Sequence, residues 1–98
     1  MQILSRRTLR EFWERHPRAK KPLIAWYKLV SAVEWSKPSE VRATFGSADF
    51  VGDGRVIFDI GGNKYRIVAR IAYAPYYRLM IKFVGTHDQY DQINPETV

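Results

Sequence analysis

From Arg55 onward the apolar residues recur at every second position, and no other feature constrains the fold of this chain as tightly. Val56, Phe58 and Ile60 share one face of a strand. Gly61-Gly62, two residues that accept positive φ, predicts a two-residue hairpin into a strand over Asn63 to Ile71. That strand puts Tyr65, Ile67, Ala69 and Ile71 on one side and Lys64, Arg66, Val68 and Arg70 on the other. A turn around Ala74-Pro75 leads to a third strand, Tyr77 to Val84, where Leu79, Ile81 and Phe83 are expected in the core and Arg78, Met80 and Lys82 outside. Such alternation belongs to an antiparallel sheet with one covered and one open face.

What covers the apolar face is predicted from the first half of the chain. Leu9, Phe12 and Trp13 stand at i, i+3 and i+4 on a helix over Arg6 to Arg15, with Ser5 placed to cap it and His16-Pro17 to end it. A second helix begins around Ala19 to Pro22; Leu23, Trp26, Tyr27 and Val30 repeat the spacing, and Ala32 to Trp35 close it. Val41 and Phe45 predict a short helical turn, and Gly46 to Gly54 an irregular connection. Thr86 to Ile93 reads as a short helix capped by Thr86. At 98 residues, 46% of them hydrophobic, the expectation is one α+β domain over 1–98 with two helices packed on the sheet.

The formal net charge of +6 favours polyanions or acidic partners without choosing among them. With no cysteine, neither disulfides nor thiolate metal sites contribute, which fits the cytoplasm. Met1 to Arg7 carries no long apolar run, so neither a signal peptide nor a membrane span is expected.

Two groups of residues carry chemistry. Lys64, Arg66, Arg70, Arg78 and Lys82 fall on the outer sheet face, and those two strands hold no acid to neutralise them. Singly, each is a solvated surface charge; together they point to phosphate binding. The second group is His87, Asp88, Tyr90 and Asp91, where the last of the three strands ends. An imidazole can take or give a proton near neutral pH, and Tyr90 lies beside His87 if the segment is helical. The plainer reading is equally open: His87 satisfies a turn and Tyr90 packs the tail onto the sheet. His87 and Asp91 alone are too few ligands for a metal, and no cofactor motif is present.

The segments Val41 to Phe45, Phe58 to Ile67 and Val84 to Ile93, with the glycine-asparagine hairpin followed by Tyr65-Arg66 and the ending Thr86-His87-x-x-Tyr90-Asp91, resemble the HigB branch of the RelE-like toxin superfamily. That resemblance covers nearly the whole chain. It implies a RelE-like fold: a short N-terminal strand, two N-terminal helices on a small antiparallel sheet, and a short C-terminal helix. It also implies a type II toxin that cleaves mRNA on the ribosome and is neutralised by a HigA-type helix-turn-helix antitoxin, an arrangement that allows a higher-order toxin–antitoxin complex. Arg66 matches the superfamily's phosphate-contacting arginine, and His87 and Tyr90 match its C-terminal active-site segment. The arginine-rich ending of better-known RelE enzymes is missing, which leaves the acid and base roles undivided.

The expected reaction is therefore attack of a ribose 2'-hydroxyl on the adjacent phosphorus without a metal. Proton transfer is assigned to His87 with Tyr90, charge stabilisation to Arg66 and Lys64, and flanking phosphates to Arg70, Arg78 and Lys82. Two rival readings share the scaffold. One is a non-enzymatic toxin that poisons DNA gyrase, as ParE-like proteins do; the other is an RNA- or ribosome-binding module.

Overall fold

The computed structural model describes residues 1–98. In chain order the elements are β1 (Gln2–Leu4), α1 (Arg6–Arg15), a 3-10 turn (Pro17–Ala19), α2 (Lys20–Ser31), α3 (Pro38–Thr44), β2 (Asp49–Val51), β3 (Arg55–Ile60), β4 (Tyr65–Ala72), β5 (Arg78–Thr86) and α4 (His87–Tyr90). The α+β class is as expected. One detail is corrected: the sheet, ordered β1-β5-β4-β3-β2, is mixed, because β1 runs parallel to β5 while the other pairs are antiparallel. Parallel neighbours need a long crossover, and everything from α1 to β4 supplies it.

Helices α1 and α2 lie on one face of the sheet. They bury Leu9 and Phe12 from α1, and Leu23, Trp26 and Val30 from α2, in one cluster with Phe58, Ile67 and Leu79. Full burial of a large apolar side chain contributes roughly 1.5–3 kcal/mol, so this face holds the fold. No helix is long and apolar enough to cross a membrane.

Several local expectations need correction. Ser5 makes no side-chain cap; it sits in the left-handed region at φ 73°, and its carbonyl accepts the Thr8 amide at 3.0 Å. Helix α2 ends at Ser31, short of Trp35, whose indole instead donates to Thr44 Oγ1 at 3.2 Å. Within Gly46 to Gly54 lies β2, an edge strand paired to β3.

The hairpin between β3 and β4 has a four-residue loop, Gly61 to Lys64, since Ile60 pairs with Tyr65. Gly61 and Gly62 do take positive φ, at 63° and 74°. Lys64 thus leaves the strand and the sheet face. Its carbonyl accepts the His87 amide at 3.1 Å, which ties the start of α4 to the loop.

Phe83 is the last correction. The β4–β5 register slips at a β-bulge: Ala69 pairs with Ile81 and Val68 with Phe83, leaving Lys82 as the extra residue. The bulge moves Phe83 to the outer face and gives its place against the core to Val84. Gly85 follows from this, because a Cβ there would collide with the Phe83 ring.

Candidate active site on the outer sheet face

Register arranges the outer face in rows. Asp59, Arg66 and Gly85 form one row across β3, β4 and β5; Asp49, Ile57, Val68 and Phe83 form the next; Val51, Arg55, Arg70, Met80 and Leu4 the third. Ile57 and Val68 are buried although they face away from α1 and α2. The chain after α4 runs back over this side, where Arg55 Nη2 donates to the Val98 carbonyl at 2.9 Å. One half of the outer face is covered.

Arg66 lies in the covered half. Its Nε meets Asp59 Oδ1 at 3.0 Å, the cross-strand neighbour that register dictates. Nη1 donates to the carbonyls of Asn63 and Tyr65 at 3.2 and 3.3 Å, and Nη2 to the Asn63 side chain. The guanidinium also faces the Tyr90 ring, 5.8 Å from its centroid, a cation–π arrangement. Only 11% of the Arg66 side chain is exposed. The sequence places Arg66 among five cations with no acid in their two strands; what stands here is a guanidinium held by a carboxylate from β3, an amide and a ring.

Helix α4 brings the other groups. Thr86 caps it with a reciprocal capping box: its hydroxyl accepts the Gln89 amide at 3.2 Å while Gln89 Oε1 accepts the Thr86 amide at 2.9 Å. One turn then carries His87, Tyr90 and Asp91. His87 Nε2 lies 3.4 Å from Asp91 Oδ1, and the imidazole is about half exposed. Burial raises the Tyr90 hydroxyl above the ordinary tyrosine value; Arg66 works against that shift, and Asp49, Asp91 and Asp59 reinforce it. Tyr90 carries its proton at neutral pH, as an ordinary phenol does.

Arg70, Arg78 and Lys82 stand apart from this cluster. With Met80 and Leu4 they line an open cleft of about 340 Å³ where β4, β5 and β1 meet. Asp53, at the tip of the β2–β3 connection, binds two cations: Arg70 Nη2 at 3.2 Å and the buried Arg55 Nη1 at 2.8 Å. Arg78 and Lys82 pair with no carboxylate. Of the residues predicted for catalysis, then, Arg66 and Tyr90 are brought together, His87 shares the helical turn of Tyr90, and Lys64 contributes its backbone. Asp59 and Asn63 were missed. The signal for Asp59 lay in the hairpin, since only a four-residue loop sets it opposite Arg66.

Over 93 residues the chain is 29% identical to the mRNA interferase toxin HigB of Escherichia coli K12, covering 93% of this chain and 88% of the relative. The mRNA interferase HigB of Shigella flexneri matches to the same extent, and that of Escherichia coli O6:H1 is 27% identical over 95 residues, 95% of this chain and 91% of the relative. Residues 19–93 match the HigB toxin family, described as the RelE-like toxic component of a toxin-antitoxin system. Those residues include the Asp59–Arg66 pair, Tyr90 and the open cleft except for Leu4, and the chain is a member of the HigB toxin family, whose counterpart in such a system is an antitoxin.

Proposed function

We propose that this chain is an mRNA interferase, an endoribonuclease that cuts mRNA in the cytoplasm on the ribosome and is held in check by a HigA-type helix-turn-helix antitoxin. The observation that carries the reading is the cation–π approach of the Arg66 guanidinium to the Tyr90 ring, with His87 on the helical turn of Tyr90 and half open to solvent. A module that merely binds RNA has no use for a protonated, partly covered phenol beside a fixed cation. The relatives named as mRNA interferases support the same choice.

The chemistry divides as follows. Nε2 is the ring nitrogen beside Asp91, and with the proton on that nitrogen the His87 imidazole keeps the Nδ1 lone pair for the proton of the ribose 2'-hydroxyl. The freed oxygen bonds to the adjacent phosphorus, and the bond from phosphorus to the 5'-oxygen breaks. Tyr90, which carries its proton at neutral pH as a phenol does, gives that proton to the departing oxygen. The products are a 2',3'-cyclic phosphate and a 5'-hydroxyl, and solvent returns the proton from imidazolium to phenolate. Arg66, fixed by Asp59 and Asn63, places positive charge where the phosphorane builds its negative charge, with no reorganisation during the reaction. Lys64, in the loop, adds charge at the rim.

The test uses ribosomes programmed with mRNA. His87→Ala is expected to lower cleavage about 10²- to 10⁴-fold, and Arg66→Ala about 10²- to 10³-fold. Cleavage by the unaltered protein is expected to persist in chelator. Undiminished cleavage by both variants would falsify the assignment.

A further inference from the structure

The cleft at the junction of β4, β5 and β1 has a composition that phosphate binding alone does not require. Its floor is apolar: Met80, 38% exposed and among the few large hydrophobic side chains so open, lies opposite Leu4 in the parallel β1–β5 register. Around that floor stand three cations, Arg70 across from Met80 on β4, and Arg78 and Lys82 two residues to either side on β5. No acid lines it. The bulge matters too, because Lys82 is the extra residue on β5; bulges of this kind re-aim side chains beside functional sites.

A wall for phosphates would be served by charge throughout. An apolar floor of this size, bordered by two cations that have no carboxylate partner and by Arg70, which Asp53 holds, matches a single nucleotide: the base lies on Met80 and Leu4, while the phosphates on either side meet Arg78 and Lys82. Single strands are bound in this way generally, with cations tracking the backbone and flat or apolar surfaces taking the bases. Strand geometry also sets the distance to the reacting groups. Arg70 and Arg66 are four residues apart on β4, about 13 Å, which corresponds to roughly two nucleotides of extended strand.

We infer that the cleft over Met80 and Leu4 seats one unpaired base of the RNA, roughly two nucleotides from the bond that is cut, and that Arg78 and Lys82 hold the phosphates flanking it. The position relative to the cut rests on the ribonuclease reading; the binding of a base does not.

The experiment is a titration with short RNA oligomers carrying 2'-O-methyl groups throughout, so that none can be cleaved, and with the base removed at one position at a time. Met80→Ser is expected to weaken binding of the fully based oligomer about five- to twentyfold, as loss of a base-stacking surface does. Met80→Leu is expected to retain it. For the oligomer lacking the seated base, the unaltered protein and Met80→Ser bind alike. Equal weakening for every oligomer, no weakening at all, or no measurable binding by the unaltered protein overturns the proposal. Glu11→Gln, on the exposed side of α1, enters the same titration and is expected to bind every oligomer as the unaltered protein does. Cleavage by His87→Ala on programmed ribosomes decides the nuclease reading separately.

Discussion

The covered half of the outer sheet face and the open half use the same kind of residue for opposite ends. On the covered half, Arg66 is committed to Asp59, Asn63 and the Tyr90 ring, and its position is fixed before any substrate arrives. On the open half, Arg78 and Lys82 have no carboxylate partner and border a cleft. A charge that must be aimed within a fraction of an ångström is held by neighbours; a charge that must follow a flexible polymer is left free. Tyr90, α4 and the chain beyond it draw the border between the two.

The comparison breaks first on Tyr90. If the covered half performs the chemistry, Tyr90→Phe removes the proton donor but keeps the ring over Arg66, and cleavage is expected to fall about 10²- to 10⁴-fold with little change in stability. Cleavage at the original rate would move the acid elsewhere and reduce Tyr90 to packing. Stability separates the halves next. Asp59→Asn removes the carboxylate from a guanidinium that is almost covered, and is expected to cost about 1–3 kcal/mol. Glu11→Gln, which breaks the exposed Arg7–Glu11 pair of α1, is expected to change stability by less than about 0.5 kcal/mol. Urea midpoints at unchanged slope decide this, and equal costs for the two would mean that Arg66 is no more committed than a surface arginine.

How far all this could be read from the sequence turned on two counts of single residues. Period-two patterning identified β3, β4 and β5, and the helical spacing of Leu9, Phe12, Leu23, Trp26 and Val30 identified the layer that covers them, because burial of one face leaves a regular trace. The loop length left none. Read as a two-residue turn, Gly61-Gly62 sets Asp59 opposite Lys64; as the four-residue loop it is, it sets Asp59 opposite Arg66, and the pair at the centre of the site appears. Likewise the bulge at Lys82 breaks alternation by one residue, which sends Phe83 to the outer face. The second glycine clue, Gly85 under the Phe83 ring, makes sense only once that break is known. Similarly, sequence predicted five cations on one face; the loop takes Lys64 off it, and Asp59 and Asp53 reach two of the other four from outside the two strands.

On the open half the expected effects are smaller and of a different kind. Lys82→Ala and Arg78→Ala are each expected to lower the slope of log affinity for single-stranded RNA against log salt by about 0.7, the counterion release of one lost phosphate contact. Neither should alter urea midpoints beyond about 0.5 kcal/mol, as for surface changes generally. A salt slope unmoved by both substitutions would show that the RNA does not pass over this half.

The smallest effect is the alkaline behaviour of Tyr90, and it reports directly on how dry the covered half is. Burial raises its hydroxyl above the ordinary value, so the folded protein still holds this proton at a pH where the unfolded chain has released it. Unfolding then releases a proton, and stability, fully present below about pH 10, declines as the pH rises through the folded value. Tyr73 is raised by burial as well and adds a loss of the same sign, so the two are separated by comparing Tyr90→Phe with Tyr73→Phe. Tyr90→Phe is expected to flatten part of the alkaline decline seen in urea midpoints. In Arg66→Gln the phenol is expected to titrate later still, because the one cation favouring phenolate is gone while the surrounding carboxylates remain. A phenol that titrates at the ordinary value in the unaltered protein would mean that water reaches the ring, and the covered half would then be no drier than the open one.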